Sequence, residues 1–179
     1  ARFKIKGGDL VDDLMRLNMI EQARLVRDGE VSAAEMVEAA ISAIEKINPD
    51  LNAVVLPLFD MARKATEELT GKEPFAGVPI LLKDVFAEYA GAPITECSRF
   101  LRGYVSPRDS ELVARYRRAG LIVVGRTNSP EFASKPTTEP ELYGATLNPW
   151  DKTRSPGGSS GGAGAAVASG MVAVAHAND

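Results

Sequence analysis

An α/β fold is predicted by three features of this 179-residue chain. Val78–Leu82 and Leu121–Gly125 are short apolar runs of strand length, and a helix-like stretch lies between them, giving a strand–helix–strand rhythm. Apolar residues recur at helical spacing through the leading segment. The tail from Ser155 sets a Gly/Ser turn before two apolar runs built largely from small residues. These features divide the chain into a helical region, residues 1–70, and an α/β region, residues 71–179.

In the leading region, Asp12 to Val26 reads as one amphipathic helix. Ser32 and Glu35 have the spacing of a capping box, in which each side chain accepts from the other's free backbone N–H. Met36, Val37, Ala40, Ile44 and Ile47 then mark a buried stripe, with Glu35, Glu38 and Glu45 opposite, and Asn48-Pro49 is expected to stop the helix. Leu58, Met61, Ala62, Ala65 and Leu69 predict another helix. The simplest role for these stripes is burial against the core; docking of a partner is the alternative. Pro79 limits ladder pairing at one point of the first strand. Asp109-Ser110 precedes the helix that carries Leu112, Val113 and Tyr116, and Gly120 is its expected C-terminal stop. Ser134 to Arg154 is loop-like and holds three prolines.

From Ser155 to Asp179, 17 of 25 residues are Gly, Ala or Ser, which a flexible linker could also show. Ala163–Val167 and Met171–Ala175 nevertheless supply apolar residues that a solvated linker would not need. They predict a closely packed small-residue helix and a buried strand.

The charge count excludes several classes of function. With 21 basic and 24 acidic side chains the net charge is −3, unlike a general nucleic-acid binder. No apolar run approaches the ~20 residues that cross a bilayer, and Ala1 to Leu14 has no secretory h-region. The expectation is a soluble cytoplasmic protein bound to neither nucleic acid nor membrane. Cys97 is the single cysteine and His176 the single histidine, which leaves no intramolecular disulfide and little basis for a His/Cys zinc site or a Ser-His-Asp mechanism.

Three features compete for a chemical role. Lys83 follows the first apolar run: such a lysine is commonly a solvated strand end, and otherwise a buried amine able to act as general base. Asp84 beside it would oppose that role by favouring the ammonium. Ser155 to Gly162 reads as a flexible turn, a catalytic loop or a phosphate cradle, although the Lys-Ser/Thr ending of a P-loop is missing. His176 reads first as a hydrogen-bonded core residue, and Cys97 as a packed thiol. Lysine can replace histidine as the ultimate base of a serine hydrolase, which would join the first two features.

Three ordered blocks carry a resemblance. They are Gly77-Val-Pro-Ile-Leu-Leu-Lys83-Asp84, then Gly125-Arg-Thr-Asn128-Ser-Pro-Glu131-Phe132, then Asn148-Pro-Trp-Asp-Lys-Thr-Arg154-Ser-Pro-Gly-Gly-Ser159-Ser160-Gly-Gly. Together they resemble the amidase signature family from Lys72 to Asp179, and the leading helices do so loosely. The finer wording, including Ala175-His-Ala-Asn-Asp179, is most similar to bacterial hydrolases of the 6-aminohexanoate cyclic dimer type.

The resemblance implies an α/β fold with a mixed sheet flanked by helices, of which this chain is the N-terminal portion. It also implies an amidase that uses a Ser–cis-Ser–Lys triad on linear or cyclic amides, with no metal or organic cofactor. Lys83 matches the family's catalytic base and Ser159 the bridging serine, whose peptide bond is cis in the family. Ser160, Asn128 and Asp179 are the implied substrate-binding or site-supporting residues, with turn or capping roles open for Asn128 and Asp179. The family's nucleophile lies in an Asp-x-Gly-Gly-Ser motif; Asp179 fits its first position, and the serine is not in the chain. Its oxyanion donors belong to the same turn, and losing even one such donor costs ~10²–10³ in rate.

The isolated chain is therefore expected to be inactive. Its expected partners are a small amide substrate and the remaining C-terminal part of the enzyme, in the same or a second chain, with a homodimer as a candidate assembly. Two alternatives stand: the glutamine amidase component of a tRNA-dependent amidotransferase, and a non-catalytic truncated binding or assembly module.

Overall fold

A computed structural model describes residues 10–178. Two short helices, α1 (Leu10–Met15) and α2 (Met19–Arg27), precede the long α3 (Ala33–Leu51). Strand β1 (Val54–Pro57), helix α4 (Phe59–Glu67) and strand β2 (Pro79–Lys83) follow. Then come α5 (Glu111–Arg118), β3 (Ile122–Thr127), α6 (Gly161–Ala168) and β4 (Val174–Ala175). The four strands form one mixed sheet in the order β1-β3-β2-β4. β3 runs antiparallel to β1 and parallel to β2, and β2 runs parallel to β4. The α/β class and the mixed sheet expected from the sequence are both present.

Both faces of the sheet are covered, which is why its strands read as unbroken apolar runs. Side chains alternate along a strand. Leu81, Ile122 and Val124 pack with Met36, Val37, Ala40 and Ile44 of α3 and with Ala165 and Ala166 of α6. Ile80, Leu82 and Val123 face the other way, onto Val113 of α5 and the Ala87–Ala92 loop. Pro79 is tolerated because it opens β2, ahead of the residues that pair with β4.

Four sequence expectations need correction. The stretch Asp12–Val26 is two helices, because Asn18 caps α2: its Oδ1 accepts from the amides of Ile20 and Glu21, and Glu21 accepts in turn from the Asn18 N–H. Asn48-Pro49 does not stop α3, which continues to Leu51 and closes on Asn52 in the left-handed region (φ 53°). Asn48 Oδ1 instead receives the amides of Ala53 and Val54, and so sets the exit of the chain from the helix. That exit makes Val54–Pro57 a strand within the region read as helical. Finally, the run Met171–Ala175 yields only the two-residue β4, half-buried at the sheet edge, while Met171 and Val172 are buried before it begins.

The small-residue helix α6 is held against β3 by a close backbone approach. A Cβ at Gly162 would lie 2.5 Å from both the amide nitrogen and the carbonyl oxygen of Asn128, and 2.8 Å from the Ala53 oxygen. Gly162 N–H instead donates to that Asn128 oxygen (3.2 Å). Gly164, two residues on, has nothing within 4 Å of the same position. Gly162→Ala is therefore expected to lower stability in chemical denaturation by about 1–3 kcal/mol. Gly164→Ala should be neutral or stabilising, by up to ~1 kcal/mol. Equal effects of the two substitutions would contradict the packing argument.

Candidate active site

The carboxyl end of β2, the Gly/Ser loop before α6 and the segment after β4 converge on one buried amine. Lys83 closes β2 and is fully buried. Its Nζ lies 2.7 Å from Ser159 Oγ, 2.7 Å from Asn178 Oδ1 and 3.1 Å from the Asn178 carbonyl oxygen. Ser159 is 7% exposed and follows a cis Gly158–Ser159 peptide. Of the readings left open for Lys83, the solvated strand end is ruled out.

Parallel strands bring their carboxyl ends to one side of the sheet, where α/β folds place ligands. Past β4, the His176 N–H donates to the Leu81 oxygen (2.8 Å), and the Lys83 N–H donates to His176 Nδ1 (3.4 Å). This ladder carries Asn178 to the Lys83 amine. Ser160 is fixed to the same residue: its Oγ donates to the Asn178 oxygen (2.8 Å) and accepts from the Asn178 N–H (3.2 Å).

Asn128 takes a supporting position one step away. Its Nδ2 donates to the Gly144 oxygen and to Thr146 Oγ1, both at 3.0 Å, and its N–H donates to the Ala53 oxygen (2.8 Å). With the Gly162 bond above, these contacts anchor the start of α6 rather than the Lys83 amine. Asp179 lies outside the described residues.

Asp84 does not crowd the amine. Its carboxylate accepts from the N–H and hydroxyl of Thr95 and from the Cys97 N–H, with Arg126 Nε 3.9 Å away. Burial raises its pKa, and those donors and Arg126 oppose the rise. His176 is a core histidine in an edge contact with Tyr116 (6.3 Å between centroids). Burial lowers its pKa first, then the charges of Lys83 and Arg126. Cys97 is packed, and burial pushes its thiol up to about 12.

Two members of this neighbourhood escaped the sequence reading. Asn178 stands in the Ala175–Asp179 block, but an isolated asparagine carries no sign of a distant lysine. Arg126 is fully buried, a rare state for a cation, with Nη1 on the Ala87 oxygen (2.8 Å). Its strand position gave no hint that it faces the Asp84 side of β2.

Lys83 and Ser159 thus place a buried amine against a serine hydroxyl, a contact that Ser–Lys nucleophilic enzymes also make. The sequence comparison identifies the family: residues 35–179 match the Amidase family model, and the chain belongs to the amidase signature family. It is 49% identical over 160 residues to the 6-aminohexanoate-cyclic-dimer hydrolase of Paenarthrobacter ureafaciens, covering 88% of this chain and 32% of that protein. It is 41% identical over 165 residues to a glutamyl-tRNA(Gln) amidotransferase component of Acidothermus cellulolyticus, covering 88% of this chain and 32% of that protein. The solved structure of 6-aminohexanoate cyclic dimer hydrolase complexed with substrate superposes with a TM-score of 0.89 at 47% identity, over 93% of this chain and 34% of the other. The chain thus spans about a third of the length of the curated relatives it matches.

The burial of His176 and Cys97 has consequences that can be measured. A histidine held neutral in the fold contributes fully above the ordinary histidine pKa near 6.5, and that contribution is lost as pH falls from there through its lowered pKa in the fold. His176→Gln should flatten the loss of stability as pH falls below about 6.5; an unchanged slope would assign it to other groups. A maleimide should modify Cys97 only after denaturation, so rapid labelling of the native protein at pH 8 would contradict its burial.

Proposed function

We propose that this chain supplies the general base and the proton shuttle of an amidase, which hydrolyses a carboxamide C–N bond through an acyl-enzyme. The observation that carries the proposal is the 2.7 Å contact between Lys83 Nζ and Ser159 Oγ, closed off from solvent. In this reading the neutral Lys83 amine accepts the Ser159 hydroxyl proton while Ser159 Oγ takes the proton of an attacking serine. The serine oxygen adds to the amide carbonyl. Collapse of the tetrahedral intermediate breaks the C–N bond, and Ser159 protonates the leaving nitrogen as Lys83 returns a proton to it. Water then attacks the acyl ester by the same relay.

The attacking serine belongs to the Asp-x-Gly-Gly-Ser motif that Asp179 begins in the family pattern, and it is not among these 179 residues. The reading therefore assigns the chain no hydrolysis by itself and makes the remaining C-terminal part of the enzyme its necessary partner. No metal or organic cofactor enters any of these steps. Higher identity to a cyclic-dimer hydrolase than to an amidotransferase component favours a free amide substrate over glutamine serving as ammonia donor.

The test uses the intact enzyme with two substrates, the cyclic dimer of 6-aminohexanoate and glutamine. Hydrolysis of the cyclic amide without glutaminase activity is expected, and the reverse preference would support the amidotransferase reading. Lys83→Met and Ser159→Ala should each lower kcat by at least ~10³-fold, as removal of a member of a concerted triad does. Full activity in a folded Lys83→Met enzyme would overturn the mechanism.

A further inference from the structure

We infer that Asn178 is a positioning residue that aims the Lys83 amine at Ser159, and that Ser160 acts as its latch. The inference rests on the amidase reading above. A lysine nitrogen is tetrahedral: beyond its bond to Cε it has three directions. Among the described residues, Asn178 brings two oxygens to the Lys83 nitrogen, Oδ1 at 2.7 Å and its own carbonyl at 3.1 Å, and Ser159 Oγ lies at 2.7 Å. Amide oxygens accept and cannot donate, so both draw N–H groups of the amine. A neutral amine has two N–H groups and one lone pair. With both N–H groups directed at Asn178, the lone pair faces Ser159, the orientation that a base needs in order to take the Ser159 proton.

An amine on a flexible stem would otherwise rotate about its last bond. The Asn178 oxygens remove that freedom, and a single residue supplies both of them, so the amine is chelated rather than merely touched. Ser160 completes the device. Its hydroxyl donates to the Asn178 carbonyl and accepts from the Asn178 N–H, which fixes the backbone that presents the two oxygens. Of the adjacent serines in the loop, Ser159 thus meets the amine directly, and Ser160 acts through Asn178. This gives Ser160 a role that needs no contact with substrate.

Among the described residues, the charged and titratable side chains near Lys83 make their contacts elsewhere than on its amine. His176 meets the Lys83 backbone through Nδ1, and Asp84 and Arg126 pair with each other and with the Thr95–Cys97 loop. Asn178→Leu keeps similar bulk and removes the side-chain acceptor. Asn178→Asp keeps an acceptor oxygen and adds a carboxylate, which favours the ammonium form of Lys83.

The intact enzyme is assayed across pH with its amide substrate. Asn178→Leu should lose about 10–100-fold in kcat with KM within about twofold, as expected when a reacting group is misplaced rather than binding lost. Asn178→Asp should recover most of that loss at high pH and move the acidic limb of its kcat profile to higher pH. Ser160→Ala should show a smaller loss, and adding it to Asn178→Leu should cost less than it does alone, because only the backbone oxygen is then left for Ser160 to hold on the amine.

Unchanged kcat in Asn178→Leu would overturn the inference. So would equal losses in the Leu and Asp variants with no movement of the pH limb, since that pattern means packing alone. If Asn178→Leu fails to fold, the pH limb of Asn178→Asp decides. Lys83→Met separates the two levels of argument. An inactive Lys83→Met beside a fully active Asn178→Leu refutes the aiming role only, whereas an active Lys83→Met refutes the amidase mechanism itself.

Discussion

The structure depends on one constraint: a lysine amine without access to water must find its hydrogen bonds inside the protein. Lys83 finds them on Ser159 and Asn178, 76 and 95 residues further along the chain. Both can reach it only if the carboxyl end of β2, the loop before α6 and the segment after β4 meet. Parallel pairing of β2 with β4 aligns their carboxyl ends, and the bond from the His176 N–H to the Leu81 oxygen extends that alignment past the end of β4. The loop is brought in by a different device. Gly162 rests on the Asn128 backbone, and Asn128 is itself pinned to Ala53 and to the Gly144–Thr146 segment. The small residues of α6 are what permit that approach.

The pleat of β2 keeps the Asp84 carboxylate off the face that carries Lys83. Successive side chains point to opposite faces. Lys83 shares a face with Leu81, while Asp84, its N–H still bonded to the Thr127 oxygen, lies on the face of Leu82 and Arg126. A carboxylate and a guanidinium buried there offset part of each other's desolvation, and Thr95 and Cys97 provide further donors. The charges next to Lys83 in sequence are therefore satisfied across the strand from it. The same pair supports the turn from Thr95 to Cys97, where Glu96 and Cys97 both adopt positive φ.

That turn belongs to a larger concentration of unusual backbone. Five of the six non-glycine residues with positive φ among those described, Phe86, Glu96, Cys97, Phe132 and Ala133, lie in the loops beyond the carboxyl ends of β2 and β3. Glu96 ties these loops together: its carboxylate accepts from the Phe86 N–H (3.0 Å) and its carbonyl oxygen from the Phe132 N–H (2.9 Å). Each such residue costs of order 1–3 kcal/mol and persists only where its surroundings over-determine it. Regular elements elsewhere in the fold show no comparable cluster among the described residues, so the departures from easy geometry gather on the side of the sheet that carries Lys83.

What the sequence disclosed follows from how far each signal travels along the chain. The strands β2 and β3 and the helix between them were legible because burial on both faces produces local apolar runs. The cap of α3 was legible because Ser32 and Glu35 are three residues apart. Lys83 and the Ser155–Gly162 loop stood out locally, but their pairing came only from the family pattern, since nothing local to either discloses the 76-residue separation that the Lys83–Ser159 contact bridges. Strand β1 was missed because it has a single paired neighbour and ends on Pro57, leaving it too short for a period to register. Asn178 was missed for a stronger reason. Its contacts bring two oxygens of one residue to a buried lysine, and an asparagine beside Asp179 has the same local appearance whether it caps a turn or meets that lysine. The polar partners of a buried amine are set by tertiary contact alone, which is why Lys83 could be singled out from the sequence and its contact with Asn178 could not.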